Sequence, residues 1–269
     1  MKSTIYKFKK IKYLFCTITI FSLFATSCSK DDNEQVIEPK APVYLLSKIT
    51  YSATQNTKYF YDENNKLINE ESSNNSGSVF RTTFQYNNKG KIIENIKVPI
   101  AGNATAIEKM TYSYDAENRL IQRKLFAATT ASPDEFALDN TVTFTNNATN
   151  IEYKYKDGNS TFVIRRVIFD LDASGNFLTA TGYRNLTALD QVGVLDYKST
   201  IEYDDKKNPL QNLPDEYVFL EKTKNNRTKS TTPQFNPSVA TITYEYNQDG
   251  YSTKSISGNR ITTFEYIIK

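Results

Sequence analysis

The chain has 269 residues, 39% of them hydrophobic and 13% aromatic, which suffices for one large β domain or two small ones. It contains no histidine and no tryptophan, which excludes Ser-His and Cys-His nucleophile pairs and histidine metal sites. Both cysteines, Cys16 and Cys28, lie in the first 28 residues, so we expect a folded part without disulfide, zinc–thiolate cluster or thiol nucleophile. We expect no cofactor.

The charge argues against a nucleic-acid partner. The formal net charge is +3, but five lysines lie within residues 1–27, a segment that we interpret as removed. Without them Lys+Arg falls from 33 to 28 against an unchanged 30 Asp+Glu, so the mature chain is near −2. A nucleic-acid binder needs a basic surface that neutralises phosphates, and no basic stripe with interleaved aromatics is present.

Residues 1–27 have the organisation of a secretory signal peptide. A lysine-rich start precedes the uncharged run LFCTITIFSLF at 14–24, which is followed by small residues. Eleven residues at about 1.5 Å each are too few to cross a bilayer of roughly 30 Å. The alternative to a removed signal peptide is a short membrane anchor that stays attached. The ending Thr26-Ser27-Cys28 resembles the lipobox of bacterial lipoproteins, although Ala25 stands where a large aliphatic residue is usual. The resemblance implies that Cys28 is acylated and becomes the first mature residue.

Residues 28–42 are predicted to form the acylated cysteine and a disordered tether, because they are polar and contain Pro39 and Pro42. The acidic stretch SKDDNE at 29–34 resembles the export signal of Bacteroidota lipoproteins that are displayed on the cell surface, and the alternative is a solvated spacer. We therefore expect a protein held on the outer membrane through the lipid on Cys28 and facing the cell exterior.

A Tyr-x-Tyr-Asp pattern recurs along the rest of the chain, for example in YFYDENNKLI at 59–68 and YSYDAENRLI at 112–121. The second aromatic position of the seven copies falls at Tyr61, Tyr86, Tyr114, Tyr155, Leu171 (a substitute), Tyr203 and Tyr246. Four residues later the copies have Asn65, Gly90, Asn118, Asn159, Gly175, Lys207 and Gly250, and in the sixth copy Asn208 takes this role one residue late. Gly and Asn tolerate positive φ, and Asp or Asn before them accepts hydrogen bonds from turn amides.

These repeats predict an all-β fold in which an antiparallel meander of consecutive YD-type hairpins forms a large curled sheet. We expect twelve to sixteen strands in a single domain over residues 43–269. Leu67, Ile92, Leu120, Phe177 and Leu210 are predicted to open the return strands. Two short helices are also predicted. One covers 133–139, from a capping box at Ser132 and Glu135, and the other covers 208–220, from the spacing of Leu210, Leu213, Tyr217 and Leu220.

The stretches YFYDENNKLI, YSYDAENRLI and YEYNQDGYSTK resemble the Tyr-Asp repeats of RHS-type proteins. With the signal and lipobox, the segment DDKKNPLQNL and the later KNNRTK, the chain is still more similar to a family of Bacteroidota secreted lipoproteins. The resemblance implies an antiparallel β fold and a surface lipoprotein, and it implies no activity.

For function we expect a non-catalytic binding or structural module. Tyrosine rings stack on sugars, which makes Tyr61, Tyr86, Tyr114, Tyr155, Tyr203 and Tyr246 candidates for binding a polysaccharide in an uptake system; the alternative is that they fill the core. A surface protein docking on a sheet edge is a second hypothesis. A carboxylate-based hydrolase is the third, with candidate acids Asp134, Glu135, Asp215 and Glu216. A weaker calcium hypothesis rests on Asp170, Asp172, Ser174 and Asn176, but Thr181 stands where an EF-hand has its last ligand.

Overall fold

The computed structural model describes residues 42–184, 193–219, 221, 223–233 and 237–269. Residues Pro42–Lys269 form one compact unit. The predicted signal peptide, the acylated Cys28 and nearly all of the tether lie outside the described residues. Within the described ranges, no helix is long and apolar enough to cross a membrane.

The described part of the chain is built from strands, and the prediction of an all-β antiparallel fold is confirmed. The structure contains seventeen strands, one more than the upper end of the predicted range. Their bounds are Tyr44–Thr50 (β1), Asn56–Tyr61 (β2), Leu67–Ser73 (β3), Val79–Tyr86 (β4), Ile92–Ala101 (β5), Ala106–Tyr114 (β6), Leu120–Thr129 (β7), Ser132–Asn146 (β8), Asn150–Asp157 (β9), Arg165–Leu171 (β10), Phe177–Arg184 (β11), Val194–Lys207 (β12), Asn225–Thr232 (β13), Ser238–Thr241 (β14), Thr243–Tyr246 (β15), Ser252–Ser257 (β16) and Arg260–Ile268 (β17).

The strands form one sheet that curls until its ends meet. Each strand from β1 to β13 pairs antiparallel with the next one, β15 pairs with β16 and β16 with β17, and β17 pairs with β1. Only Ile242 separates β14 from β15, yet β14 pairs with β13 and β15 pairs with β16. At Ile242, whose N donates to Thr228 O at 2.8 Å, the sheet passes from β13 to β16. We call this place the seam.

The turns follow the predicted backbone chemistry in five of the seven copies. Positive φ occurs at Asn65, Gly90, Asn118, Gly175 and Gly250. At the first copy Asp62 Oδ1 accepts hydrogen bonds from Asn64 N and Lys66 N, both at 2.9 Å. A register shift in each of these hairpins marks the predicted bulge. A further copy of this turn at Asn74–Ser78 joins β3 to β4, and its lack of a preceding tyrosine hid it from the sequence pattern.

Two copies depart from the prediction. In the fourth, positive φ falls on Gly158 instead of Asn159, because the chain turns one residue earlier after β9. In the sixth, neither Lys207 nor Asn208 has positive φ. There β12 runs into an irregular stretch instead of a hairpin, so Leu210 opens no return strand. Leu67, Ile92, Leu120 and Phe177 each begin a return strand, as predicted.

Both helix predictions are wrong. Residues 133–139 lie in β8, where Ala137 pairs with Ala127 and Leu138 with Phe126. Pairing along β7 outweighs the local capping signal because strand contacts extend over the whole of β8. Residues 208–219 form successive turns, and Pro214 has no N–H to bond the carbonyl of Leu210, which pairs with Leu213 N instead. Leu220 lies outside the described residues.

We call the described residues 208–219, 221 and 223 the inner segment, because they pack against the buried face of the sheet. Leu210 and Leu213 join Leu46, Ile49, Tyr59 and Leu67 in one buried cluster. Phe219 packs edge-on against Phe144 in a second cluster, with ring centroids 4.6 Å apart. A third cluster, around Val167, Phe169, Phe177 and Ala180, lies on β10 and β11. The compact unit Pro42–Lys269 therefore has a core that is shared between the sheet and a segment inside it.

Candidate ligand cavity

The hydroxyls of the repeat tyrosines donate to main-chain carbonyls that the strand pairing between neighbouring hairpins does not reach. The ladder between β3 and β4 reaches Asn69–Thr83 and stops before Leu67, the first residue of β3. Tyr86, which ends β4, donates its hydroxyl to the Leu67 carbonyl instead. The aromatic position therefore satisfies a backbone acceptor that the bulge removes from the ladder.

The same arrangement recurs around the sheet. The hydroxyl-to-carbonyl pairs are Tyr61–Leu46, Tyr86–Leu67, Tyr114–Ile92, Tyr203–Phe177 and Tyr266–Ser252. At the end of β8, Asn146 Nδ2 makes the equivalent bond to Leu120 O at 2.9 Å. We call this set the tyrosine ladder. It assigns a structural role to four of the six predicted stacking residues.

The other two candidates bond to carboxylates. Tyr155 donates to Asp157 Oδ1 at 2.8 Å, and this hydrogen bond, followed by burial, raises the pKa of Tyr155 to about 12. Tyr246 donates to Asp204, and burial followed by this bond raises the pKa of Tyr246. In the ladder, burial raises the pKa of Tyr203 to about 12. All six tyrosines are half-buried, so the prediction that they lie against the core describes them better than an exposed platform does.

The candidate catalytic acids are not brought together as one site. Asp134 and Glu135 are exposed on β8. Asp215 is exposed on the inner segment, whereas Glu216 is 3% exposed and its Oε1 lies 3.0 Å from Lys91 Nζ. The Glu216 carboxylate therefore tethers the inner segment to the start of the β5 strand.

The residues of the calcium hypothesis serve the β10–β11 hairpin. Asp172 Oδ1 accepts Ser174 N at 2.7 Å and Asn176 N at 2.9 Å. Asp170 Oδ2 accepts the hydroxyl of Thr179 across the strand pair. Within the described residues, no group of three or more acidic or thiol side chains is placed to hold a metal ion.

A cavity of about 400 Å³ lies behind the seam, between the first and third core clusters. Its wall combines residues of β1, β10 to β13, β15 and β17 with Asn208, Pro209 and Leu210 of the inner segment. Six aromatic rings line it: Tyr51, Phe169, Phe177, Tyr203, Tyr244 and Phe264. This volume lies within the range of roughly 300–1,000 Å³ that is usual for small-molecule sites.

Two of the three tyrosines that line the cavity, Tyr203 and Tyr244, are held in place by their own hydroxyls. Tyr203 donates to Phe177 O at 3.1 Å, and Tyr244 donates to Arg227 O at 3.0 Å across the seam. Burial raises the pKa of each to about 12, so both phenols are neutral at physiological pH. Because each hydroxyl hydrogen is committed, the rings are fixed, while the phenolic oxygens can still accept a hydrogen bond.

Comparison with known proteins identifies the architecture. A family model described as Teneurin YD-shell matches residues 41–195, which is more than half of the chain. The chain belongs to this YD-shell family. This match confirms the resemblance to Tyr-Asp repeat proteins for the β shell over residues 41–195. No curated protein sequence matches the chain.

Solved structures from two Bacteroides species are among those similar to this chain. A porin-like protein from Bacteroides uniformis ATCC 8492 shares 15% identity over 83% of this chain and 98% of its own, with a TM-score of 0.45. A porin-like protein from Bacteroides vulgatus ATCC 8482 shares 12% identity over 83% of this chain and 99% of its own, with a TM-score of 0.39.

The cavity of this YD shell was missed at the sequence level, apart from Tyr203. Its residues come from distant parts of the chain, such as Ile49 on β1 and Phe264 on β17. Tyr244 begins the stretch YEYNQDGYSTK, but it is not the second aromatic position of its repeat copy and was no candidate residue. A signal for its role was present in the YEY spacing, because two tyrosines two residues apart face the same side of a strand.

Proposed function

We propose that this YD-shell protein is a lipid-anchored, non-catalytic binding module of the cell surface whose cavity takes a small polar ring-bearing ligand, with a saccharide as the first candidate. The cavity behind the seam carries the proposal, because it joins six aromatic rings to polar side chains. Aromatic faces bind sugar rings, and a small number of polar groups beside them bind the hydroxyls. The separation of the candidate acids between β8 and the inner segment supports a non-catalytic role.

The anchoring part of the proposal comes from the sequence. The lysine-rich start, the apolar run at 14–24 and the Thr26-Ser27-Cys28 ending are those of a lipoprotein precursor. The acidic stretch at 29–34 and the similarity to Bacteroidota lipoproteins support display on the outer membrane, facing outwards.

Anchoring is tested by metabolic labelling with an alkyne fatty acid in a bacterium that processes lipoproteins. We expect the wild-type protein to be labelled and membrane-bound, and the Cys28→Ser variant to be unlabelled. Proteinase treatment of intact cells should digest the wild-type protein if it faces outwards. Equal labelling of both proteins would contradict the assignment of Cys28.

Binding is tested by isothermal titration of the purified lipid-free protein against a panel of neutral and acidic oligosaccharides. We expect Tyr244→Ala to weaken binding of any ligand found by about tenfold, since one aromatic contact is worth roughly 0.5–1.5 kcal/mol beyond its area. Tyr183→Ala is the matched control, because Tyr183 lies on β11 outside the cavity wall. Absence of binding across the panel by a folded protein would contradict the proposed function.

Docking of a partner on a sheet edge has less support. Within the described strands, β1 to β13, β16 and β17 have a partner on both sides, and only β14 and β15 pair on one side. Each of these two strands has four residues, which leaves little edge for an added strand.

A further inference from the structure

Among the described residues that line the cavity, Arg227 is the one with a cationic side chain. It lies on β13 in register with Tyr203 of β12, and cross-strand partners face the same side of a sheet. Its own carbonyl accepts the hydroxyl of Tyr244 at 3.0 Å, which fixes the backbone of Arg227 at the seam. The guanidinium therefore belongs to the same surface as the two fixed tyrosine rings.

The guanidinium of Arg227 has no carboxylate within 4.0 Å among the residues that the structure describes, and the residue is exposed. Four other arginines of the shell are paired, as Arg81–Glu71, Arg119–Asp115, Arg166–Glu152 and Arg184–Asp196, whereas Arg123, Arg165 and Arg260 also have no salt bridge among the described residues; of these unpaired arginines, Arg227 is the one that lines the cavity. The charge of Arg227 reaches two of the cavity tyrosines, because it opposes the rise in pKa that burial causes at Tyr203 and Tyr244. An unpaired guanidinium beside an aromatic wall is suited to a planar anion.

Three other polar side chains of the cavity wall, those of Asn226, Asn208 and Ser199, are already engaged in hydrogen bonds. Asn226 donates to Asp204 and accepts from Ser252, and Asn208 bonds within the inner segment. Ser199 shares a hydrogen bond of 2.6 Å with Thr232. A ligand therefore meets Arg227 as its strong donor, and the phenolic oxygens and the carboxylate of Glu221 as acceptors for its hydroxyls.

We propose that the cavity selects a carboxylate-bearing saccharide, a uronic acid unit, with the carboxylate on the guanidinium of Arg227 and the sugar ring against Tyr203 and Tyr244. The inference rests on the proposed binding function and names its ligand class. An uncharged sugar of the same shape would leave the guanidinium without its partner, and a site built for a polar group discriminates against a ligand that lacks it.

The test compares a uronide with its own neutral derivative. Digalacturonate, diglucuronate and dimannuronate are titrated into the purified lipid-free protein, each beside its methyl ester, which keeps the rings and removes the charge. We expect at least one free acid to bind tenfold or more tightly than its ester, and to lose affinity as salt rises because the contact is ionic.

Variants of Arg227 show whether the preference arises at this residue. Arg227→Gln should bring the acid and its ester to equal affinity, and Arg227→Lys should keep part of the preference. Arg260→Gln is the control, because Arg260 is an exposed residue at the start of β17 and does not line the cavity. Unchanged melting temperature and circular dichroism confirm that the variants are folded.

The outcomes separate this inference from the proposed function. Equal binding of acid and ester by the wild-type protein, an unaltered preference in Arg227→Gln, or binding of neutral sugars alone would overturn the inference and leave the binding function standing. Failure of every saccharide to bind would overturn both.

Discussion

A single hydroxyl explains why tyrosine recurs in this sequence. The bulge that lets each hairpin turn tightly also moves the first residue of the return strand out of the ladder to its neighbour. A buried carbonyl without a donor is costly, and phenylalanine would fill the same space without supplying one. Tyr86 illustrates the solution, because its ring packs under Lys66 at 3.8 Å while its hydroxyl bonds the Leu67 carbonyl.

We expect Tyr86→Phe to lower the free energy of unfolding by about 1 kcal/mol, since the ring contacts remain and one hydrogen bond to a buried acceptor is lost. Urea denaturation followed by circular dichroism measures this change. Tyr197→Phe is the matched control, because the Tyr197 ring contacts Arg165 and no hydrogen bond of its hydroxyl is found within the described residues. An equal effect of the two substitutions would refute the structural role of the ladder.

At the scale of the element, a glycine and a tyrosine face each other on β11 and β12. Gly182 pairs with Tyr197, and a Cβ added at Gly182 would clash with the ring of Tyr197. The ring occupies the space that a side chain on Gly182 would need. Strand interiors normally disfavour glycine, so its presence here is explained by the aromatic ring that covers it.

Gly182→Ala should therefore lower the free energy of unfolding by about 1–3 kcal/mol, the usual cost of overpacking. Gly182→Ala introduced into the Tyr197→Ala variant should lower the free energy of unfolding by less than it does in the wild-type protein, because the clash is gone. A double-mutant cycle from thermal or urea unfolding gives the difference. Strictly additive effects would show that Tyr197 is not the obstacle.

Prediction from sequence succeeded where the chemistry is local. Asn65, Asn118 and Gly250 reveal their turns because positive φ and a side-chain acceptor are properties of four or five consecutive residues. The helix predicted over 133–139 failed because the pairing of β8 with β7 outweighs a capping box. The cavity could not be predicted, since Ile49 and Phe264 meet only after β17 pairs with β1.

At the scale of the whole molecule, the inner segment contacts several strands of the curled sheet on its buried face. Leu213 is 1% exposed and packs in the cluster that also contains Leu46 of β1 and Leu67 of β3. Asn212 Nδ2 donates to the carbonyl of Tyr44, close to the place where the first and last strands pair. Contacts of the segment thus reach several strands that lie far apart in sequence.

Leu213→Ala should lower the free energy of unfolding by about 2–5 kcal/mol, because the buried side chain leaves a cavity between the segment and the sheet. Leu178→Ala should change it by no more than about 0.5 kcal/mol, since Leu178 is 45% exposed on β11. Urea denaturation of the two variants beside the wild-type protein checks both values. A loss for Leu213→Ala as small as that for Leu178→Ala would show that the segment contributes little to the core.

The inner segment and the sheet also meet through a buried carboxyl. Glu70 on β3 is 7% exposed and accepts the hydroxyl of Tyr217 from the inner segment. Burial raises the pKa of Glu70 above its ordinary 4.5, and the hydrogen bond from Tyr217 only partly opposes this rise. Since the folded pKa is the higher one, the stability that Glu70 contributes is present below pH 4.5 and is lost as the pH rises through the folded pKa.

Glu70→Gln removes this dependence, because the amide stays neutral and its oxygen can still accept the Tyr217 hydroxyl. We expect the free energy of unfolding to fall less steeply for Glu70→Gln than for the wild-type protein as the pH rises from 4.5 towards neutrality. Urea titrations at closely spaced pH values measure the slope. Glu71→Gln is the matched control, since the neighbouring Glu71 pairs with Arg81 and should keep the wild-type slope. If the free energy of unfolding changed with pH at the same rate for Glu70→Gln and the wild-type protein, the pKa of Glu70 would be the same beside Tyr217 as in the unfolded chain.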